Sequence, residues 1–199
     1  MQREVGRIGG TFDRRGRADN AAGRLVADAQ LAATRDVARG AAQIAFMNPG
    51  GVRSDLLCTT APPCAVTYGA AFTMQPFGNS LVVMSLSGAE LKALLESQQG
   101  PGRSSPNMMS PSEGLSYRWR ASAAAGQRVE DLRLHGVPIE PTRDYRITVN
   151  SFMAEGGDRF DLLRRGRARL GGELDLDALL AYLVRTPAPT TQARVEWVD

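Results

Sequence analysis

The chain has 199 residues, 43% of them hydrophobic and 23% charged, with a formal net charge of +3. That length can bury a substantial core and corresponds to one domain or at most two small ones. So small a net charge, even with a pI near 9.2, gives no argument for nucleic-acid binding, and no stretch is apolar for long enough to cross a bilayer.

Lys92 is the single lysine, so arginine carries almost all the positive charge. The bias is chiefly compositional in an alanine-rich chain, but arginine also suits bidentate contacts to phosphate or carboxylate. The N-terminal "MQREVGRIGG" lacks the apolar core of a signal peptide. The leader of an exported parent would lie outside this sequence.

Apolar residues at Leu25, Ala29, Ala32 and Ala33 predict a helix from Asn20 to Arg39, capped by Asp19 or Asn20. "AQIAFMNPGG" reads as a buried strand that stops at Pro49, with Asn48 and Arg53 bracketing the turn. Cys58 and Cys64 follow in "LLCTTAPPCAV", where an even count and close spacing favour a disulfide over a metal site. Such a bridge implies an oxidising compartment, a bacterial periplasm or the extracellular space.

Next come a short helix or turn in "VTYGAAFTM", the turn "QPFGN" and the strand "SLVVMSL". Ser87 and Glu90 stand in capping-box register at the head of a helix that ends near Gly100. "GPGRSSPNMMSPSEG" is an irregular loop, and "LSYRWRA", "RVEDLRLHG" and "DYRITVNSF" alternate as half-buried strands, with "HGVPIEP" as a turn. A helix, "LDLDALLAYLVRT", and a strand, "ARVEWVD", close the chain. Strands and helices without a strict βαβ rhythm predict an α+β, or mixed α/β, fold: a mixed β-sheet with packed helices.

Catalytic machinery is absent from this pattern. The one histidine, His135, sits in a turn with no serine nearby, which leaves neither a clustered metal site nor a nucleophilic triad. "GPGRSS" lacks the lysine of a phosphate loop, and "NPGGVR" does not match the dinucleotide fingerprint. What remains is a set of turns, "RRGRADN", "NPGGVR", "QPFGN" and "NSFMAEGGD", that carry two phenylalanines beside glycines, several arginines and Asp158. Aromatic rings stack on flat heterocycles, carboxylates accept from sugar hydroxyls and arginine forks bind phosphate. These are the parts of a nucleotide pocket.

In their order, "NPGGVRSDL", "VTYGAAFTMQPFGNSLVVMSLSGAELKALLE" and "YRITVNSFMAEGGDRF" make the chain resemble the C-terminal, substrate-specificity domain of the 5′-nucleotidase family, a group that includes UDP-sugar hydrolases and 2′,3′-cyclic-nucleotide phosphodiesterases. The resemblance runs from about Arg17 to Asp199. It implies that Phe77 and Phe152 sandwich the base, that Asp158 accepts from ribose hydroxyls, that Arg53 contacts phosphate or ribose and Asn48 base or sugar, and that Gly156 and Gly157 let the loop close. A further phosphate-binding arginine falls near Gly16, where Arg17 and Arg15 are both candidates and Arg17 is preferred.

The resemblance further implies that hydrolysis belongs to an N-terminal metallophosphoesterase domain in cis, absent from this chain, with two divalent metals. The present domain would bind a nucleotide or nucleoside, need no cofactor of its own and rotate to deliver substrate. A stand-alone binding or assembly domain without turnover is the competing expectation.

Overall fold

The structure is a computed structural model that describes residues 1–100 and 104–199. The chain opens with β1 (Glu4–Ile8), a strand not expected from the sequence, and enters α1 (Ala21–Thr34) at Asn20, whose side chain accepts from the Gly23 N–H at 2.7 Å. This helix stops short of the expected Arg39. The Asp36 side chain takes the Ala38 N–H and opens a separate 3₁₀ turn, Val37–Arg39, which Gly40 closes in left-handed backbone.

Strand β2 (Ile44–Met47) is buried throughout and ends at Asn48, where Pro49–Gly51 form another 3₁₀ turn. Strand β3 (Cys64–Thr67) pairs antiparallel with β1, and Thr67 caps the short helix α2 (Tyr68–Met74). Cys58 and Cys64 form a disulfide across the intervening loop, with their Cα atoms 5.3 Å apart. Replacing both with serine should lower stability by roughly 2 kcal/mol, the value for so short a loop in the chain-entropy model. A thermal melt would show this as a fall of about 4–8 °C, and an unchanged midpoint would mean that the bridge contributes nothing.

Strand β4 (Ser80–Ser87) leads through a complete Ser87–Glu90 capping box into α3 (Gly88–Glu96). The expected loop 100–114 falls partly outside the described residues. Its described part contains the two-residue strand β5 (Ser110–Pro111), followed by β6 (Leu115–Trp119), β7 (Val129–Leu134) and β8 (Val137–Pro138). His135 is exposed in the β7–β8 turn. Strand β9 (Asp144–Asn150) runs into a single turn of helix, α4 (Ser151–Ala154), and the chain ends with β10 (Arg167–Leu174), α5 (Asp175–Arg185) and β11 (Val195–Trp197).

The principal sheet has the order β10-β4-β9-β2-β5, with β2 and β9 parallel and the other neighbours antiparallel. A smaller sheet, β11-β6-β7-β8, packs on one side of it. Alternate residues of β2 face opposite layers. Phe46 joins Met84, Leu95, Trp119, Ile147 and Phe160 in one core, while Met47 joins Leu25, Phe12, Met74 and Leu179 in the other. Strands covered on both faces read as continuous apolar runs, as "IAFM" does.

A buried ionic group ties the C-terminus to this frame. Arg194 donates to both oxygens of Asp28 at 2.8 and 2.7 Å and to the Pro111 carbonyl at 2.8 Å. The Asp28 carboxylate also accepts from the Glu113 N–H at 2.7 Å. Nearby, Arg24 donates to Asp19 at 2.9 Å, and Asp19 accepts from the Arg194 N–H at 3.0 Å.

Candidate functional site

The register of the principal sheet assembles the site. Strands β2 and β9 are parallel, so their C-terminal ends, Asn48 and Asn150, lie at the same edge. Strand β4 is antiparallel to β9 with Leu81 opposite Asn150, which brings its first residues, and Asn79 before them, to that edge as well. Leu174 of β10 stands opposite Ser80, so Asp175 arrives there too. Across the strand order the sheet edge therefore reads Asp175, Asn79, Asn150, Asn48.

These side chains are joined by hydrogen bonds. Asn79 Nδ2 donates to Asp175 Oδ2 at 3.3 Å, and Ser151 Oγ lies 3.5 Å from Asn79 Oδ1. Asn150 Nδ2 donates to Asn48 Oδ1 at 3.0 Å, and Asn48 Nδ2 donates to Asp158 Oδ2 at 2.6 Å. Asn150 Oδ1 accepts from the Met153 N–H at 2.9 Å, which caps α4. Asn48 and Asn150 are 2% and 1% exposed, so this network fixes their amide orientations instead of leaving them to solvent.

Above the row opens a cavity of about 370 Å³, lined by Asn48, Gly50, Gly51, Asn79, Asn150 and Asp158 together with the rings of Phe77 and Phe152. Its size suits a small organic ligand. The two rings are 56% and 49% exposed, so neither is a core residue. Phe152 rides on the first turn of α4 and not on the strand itself. Its ring backs onto Gly157, where a Cβ would come within 2.5 Å of the nearest ring carbons. Gly156 has φ of +82°, and Asp158 holds left-handed backbone at φ 56°, a region that short polar residues tolerate better than most.

The arginines divide. The guanidinium of Arg53 lies 5.8 Å from the Phe77 ring centroid and donates to the Gly50 carbonyl at 3.3 Å, beside the cavity. Arg17 does not line the cavity: its guanidinium stacks on Trp197 at 4.1 Å and holds the C-terminal strand. Arg15 pairs with Asp13 at 3.2 Å and does not line it either. Gly50, Gly51, Asn79 and Asn150 were not singled out from sequence, although all four sit in turns that were. Their signal is the strand-end position that each turn occupies.

A larger hollow, about 860 Å³, lies between β1 and α5 and is lined by Arg3, Val5, Leu183 and Val184, among others. Among the described residues no aromatic ring or buried amide lines it, in contrast to the smaller cavity.

A family model described as 5′-nucleotidase, C-terminal domain matches residues 4–165, and the chain belongs to that family. One similar protein is the "Probable 5′-nucleotidase" of Treponema pallidum (strain Nichols), 31% identical over 172 residues, 80% of this chain and 28% of that protein. Another is the "5′-nucleotidase-related protein" of Glossina morsitans morsitans, 32% identical over 166 residues, 77% of this chain and 29% of that protein. Among solved structures, a 5′-nucleotidase precursor from Thermus thermophilus matches with a TM-score of 0.84 at 29% identity, over 100% of this chain and 40% of that one. The chain thus spans 28% and 29% of the length of these two curated relatives. The mixed α/β architecture expected from the sequence is that of the family's C-terminal domain.

Proposed function

We propose that the chain is a nucleotide- or nucleoside-recognition domain of a 5′-nucleotidase-type phosphoester hydrolase. The base lies between Phe77 and Phe152, Asp158 accepts from ribose hydroxyls, Asn48 contacts base or sugar, and Arg53 reaches phosphate or ribose. The observation that carries this reading is the convergence of two half-exposed phenylalanines and the Asn48–Asp158 pair on one cavity.

Hydrolysis is assigned to an N-terminal metallophosphoesterase domain in cis, whose two divalent metals would polarise the phosphate and activate water. Among the described residues no group of three or more His, Cys, Asp or Glu side chains could hold a metal ion. The Cys58–Cys64 bridge supports a periplasmic or extracellular setting. No helix among the described residues is long and apolar enough to cross a membrane.

Calorimetric titration of the purified chain with adenosine, AMP and UDP-glucose tests the reading. Saturable one-site binding of adenosine and AMP is expected, and the UDP-glucose arm ranks the substrate class. A cooperatively folded chain that binds none of the three overturns it.

A further inference from the structure

Asp175 lies outside the residues that the family model matches, 4–165, at the first position of α5. It is 2% exposed, yet its carboxyl is spent on the neighbouring turn as well as on its own helix. Oδ2 accepts from Asn79 Nδ2 at 3.3 Å, Oδ1 accepts from the Leu176 N–H at 2.8 Å, and the Asp175 N–H donates to the Asn79 carbonyl at 2.8 Å. Asn79 and Asp175 are therefore joined by both main chain and side chain. The near end of the same turn is held by the Arg53 N–H, which donates to the Met74 carbonyl at 2.9 Å. Phe77 is carried between these two fixed points.

Burial pushes the Asp175 carboxyl above its usual range, and the Asn79 amide and nearby backbone N–H groups pull it back only in part. An acidic residue in the first turn of a helix needs no such burial to gain from the helix dipole, which acts at exposed positions as well. The position does something more specific. An ionised carboxylate only accepts hydrogen bonds, so it selects the nitrogen end of the Asn79 amide. The oxygen end is then left facing Ser151, with a long 3.5 Å contact that leaves room for a second donor. At the other end of the row Asp158 imposes the same polarity on Asn48.

We propose that Asp175 is a positioning residue: it commits the Asn79 nitrogen to itself, leaves the Asn79 oxygen as the acceptor offered to the cavity, and so favours flat ligands that present an amino donor over those that present a keto oxygen. This inference rests on the nucleoside-recognition reading above. A ring bearing an exocyclic amino group completes the acceptor, whereas a keto oxygen at the same place meets a like partial charge and leaves a polar group unpaired.

The test is the ratio of affinities for adenosine and inosine, which differ by an amino and a keto group on one ring carbon and by the proton that the keto form carries on the neighbouring ring nitrogen. The wild-type chain should prefer adenosine on the order of threefold to tenfold, the value of one net hydrogen bond. Asp175→Asn keeps the shape but can donate as well as accept, so Asn79 is free to turn over and the ratio should fall towards one. Asn79→Ala should do the same, and the double variant should show no further loss, because both changes remove one interaction. A residue that merely caps α5 would lower the melting temperature and leave the ratio intact.

An unchanged ratio in Asp175→Asn, or additive losses in the double variant, overturns the proposal while leaving nucleoside recognition standing. A wild-type chain that binds neither nucleoside overturns both. If Asp175→Asn fails to melt cooperatively, proton exchange of the Asn79 side-chain amide in the wild-type chain decides. Slow exchange is expected from a carboxylate-bound NH₂, and fast exchange contradicts the assignment.

Discussion

Replacing either Phe77 or Phe152 with alanine should weaken nucleoside binding by about 1–3 kcal/mol, roughly fivefold to a hundredfold or more in Kd, which is the measured range for loss of one base-stacking ring. Calorimetry on each single variant and on the pair checks this. The fold should survive, because both rings are half-exposed and neither belongs to the core clusters. Melting temperatures within a few degrees of wild type, combined with the loss of affinity, separate a ligand clamp from a packing role. Variants that bind adenosine as tightly as the wild type would show that the cavity holds its ligand by other groups.

The largest loss of stability is expected from Arg194→Met. Removing one partner of a buried ion pair leaves an uncompensated charge and costs about 3–5 kcal/mol. Asp28 fits that description, since among the described residues Arg194 supplies two of its three hydrogen bonds and the Glu113 N–H the third. The pH dependence has a definite sign. Burial pushes Asp28 above the ordinary carboxylate range, and Arg194 pulls it back only in part. The folded state therefore holds its proton to higher pH than the unfolded state, and this group's contribution falls as pH rises through that window. Without Arg194 the carboxyl moves up further, so the variant's deficit should shrink on acidification as Asp28 becomes neutral. Urea unfolding of both proteins across pH 4–8 reads the difference. Equal midpoints at neutral pH would show that the pair contributes nothing net.

The site was legible in the sequence to the extent that it is built from turns. "NPGG", "QPFGN" and "NSF" announce themselves through proline, glycine and an aromatic residue out of place, and the structure gathers Asn48, Phe77, Phe152 and Asp158 around one cavity. The Ser87–Glu90 capping box was equally readable, because both partners lie within one turn of helix. What the sequence hid depends on distant partners. Strand β10 is exposed along its whole length and contains Gly171 and Gly172, so it has no alternation to detect and exists by pairing with β4. The stacking of Arg17 on Trp197 and the pairing of Arg194 with Asp28 join opposite ends of the chain, and no local pattern signals either. The limit of α1 was missed because Asp36 fits a helical count but prefers to cap the next turn.

The two half-exposed rings also bear on how much of a guest this fold can judge. If the rings clamp a base as proposed, a wall that leaves about half of each phenylalanine in solvent would act as tweezers and not as a purse, holding the flat end of a molecule and leaving the far end of it clear. On the same proposal, whatever is attached beyond the sugar and the group that Arg53 reaches meets little of this surface. Discrimination along the protruding part must then come from a second surface brought up to it, so grip and choice can be altered separately.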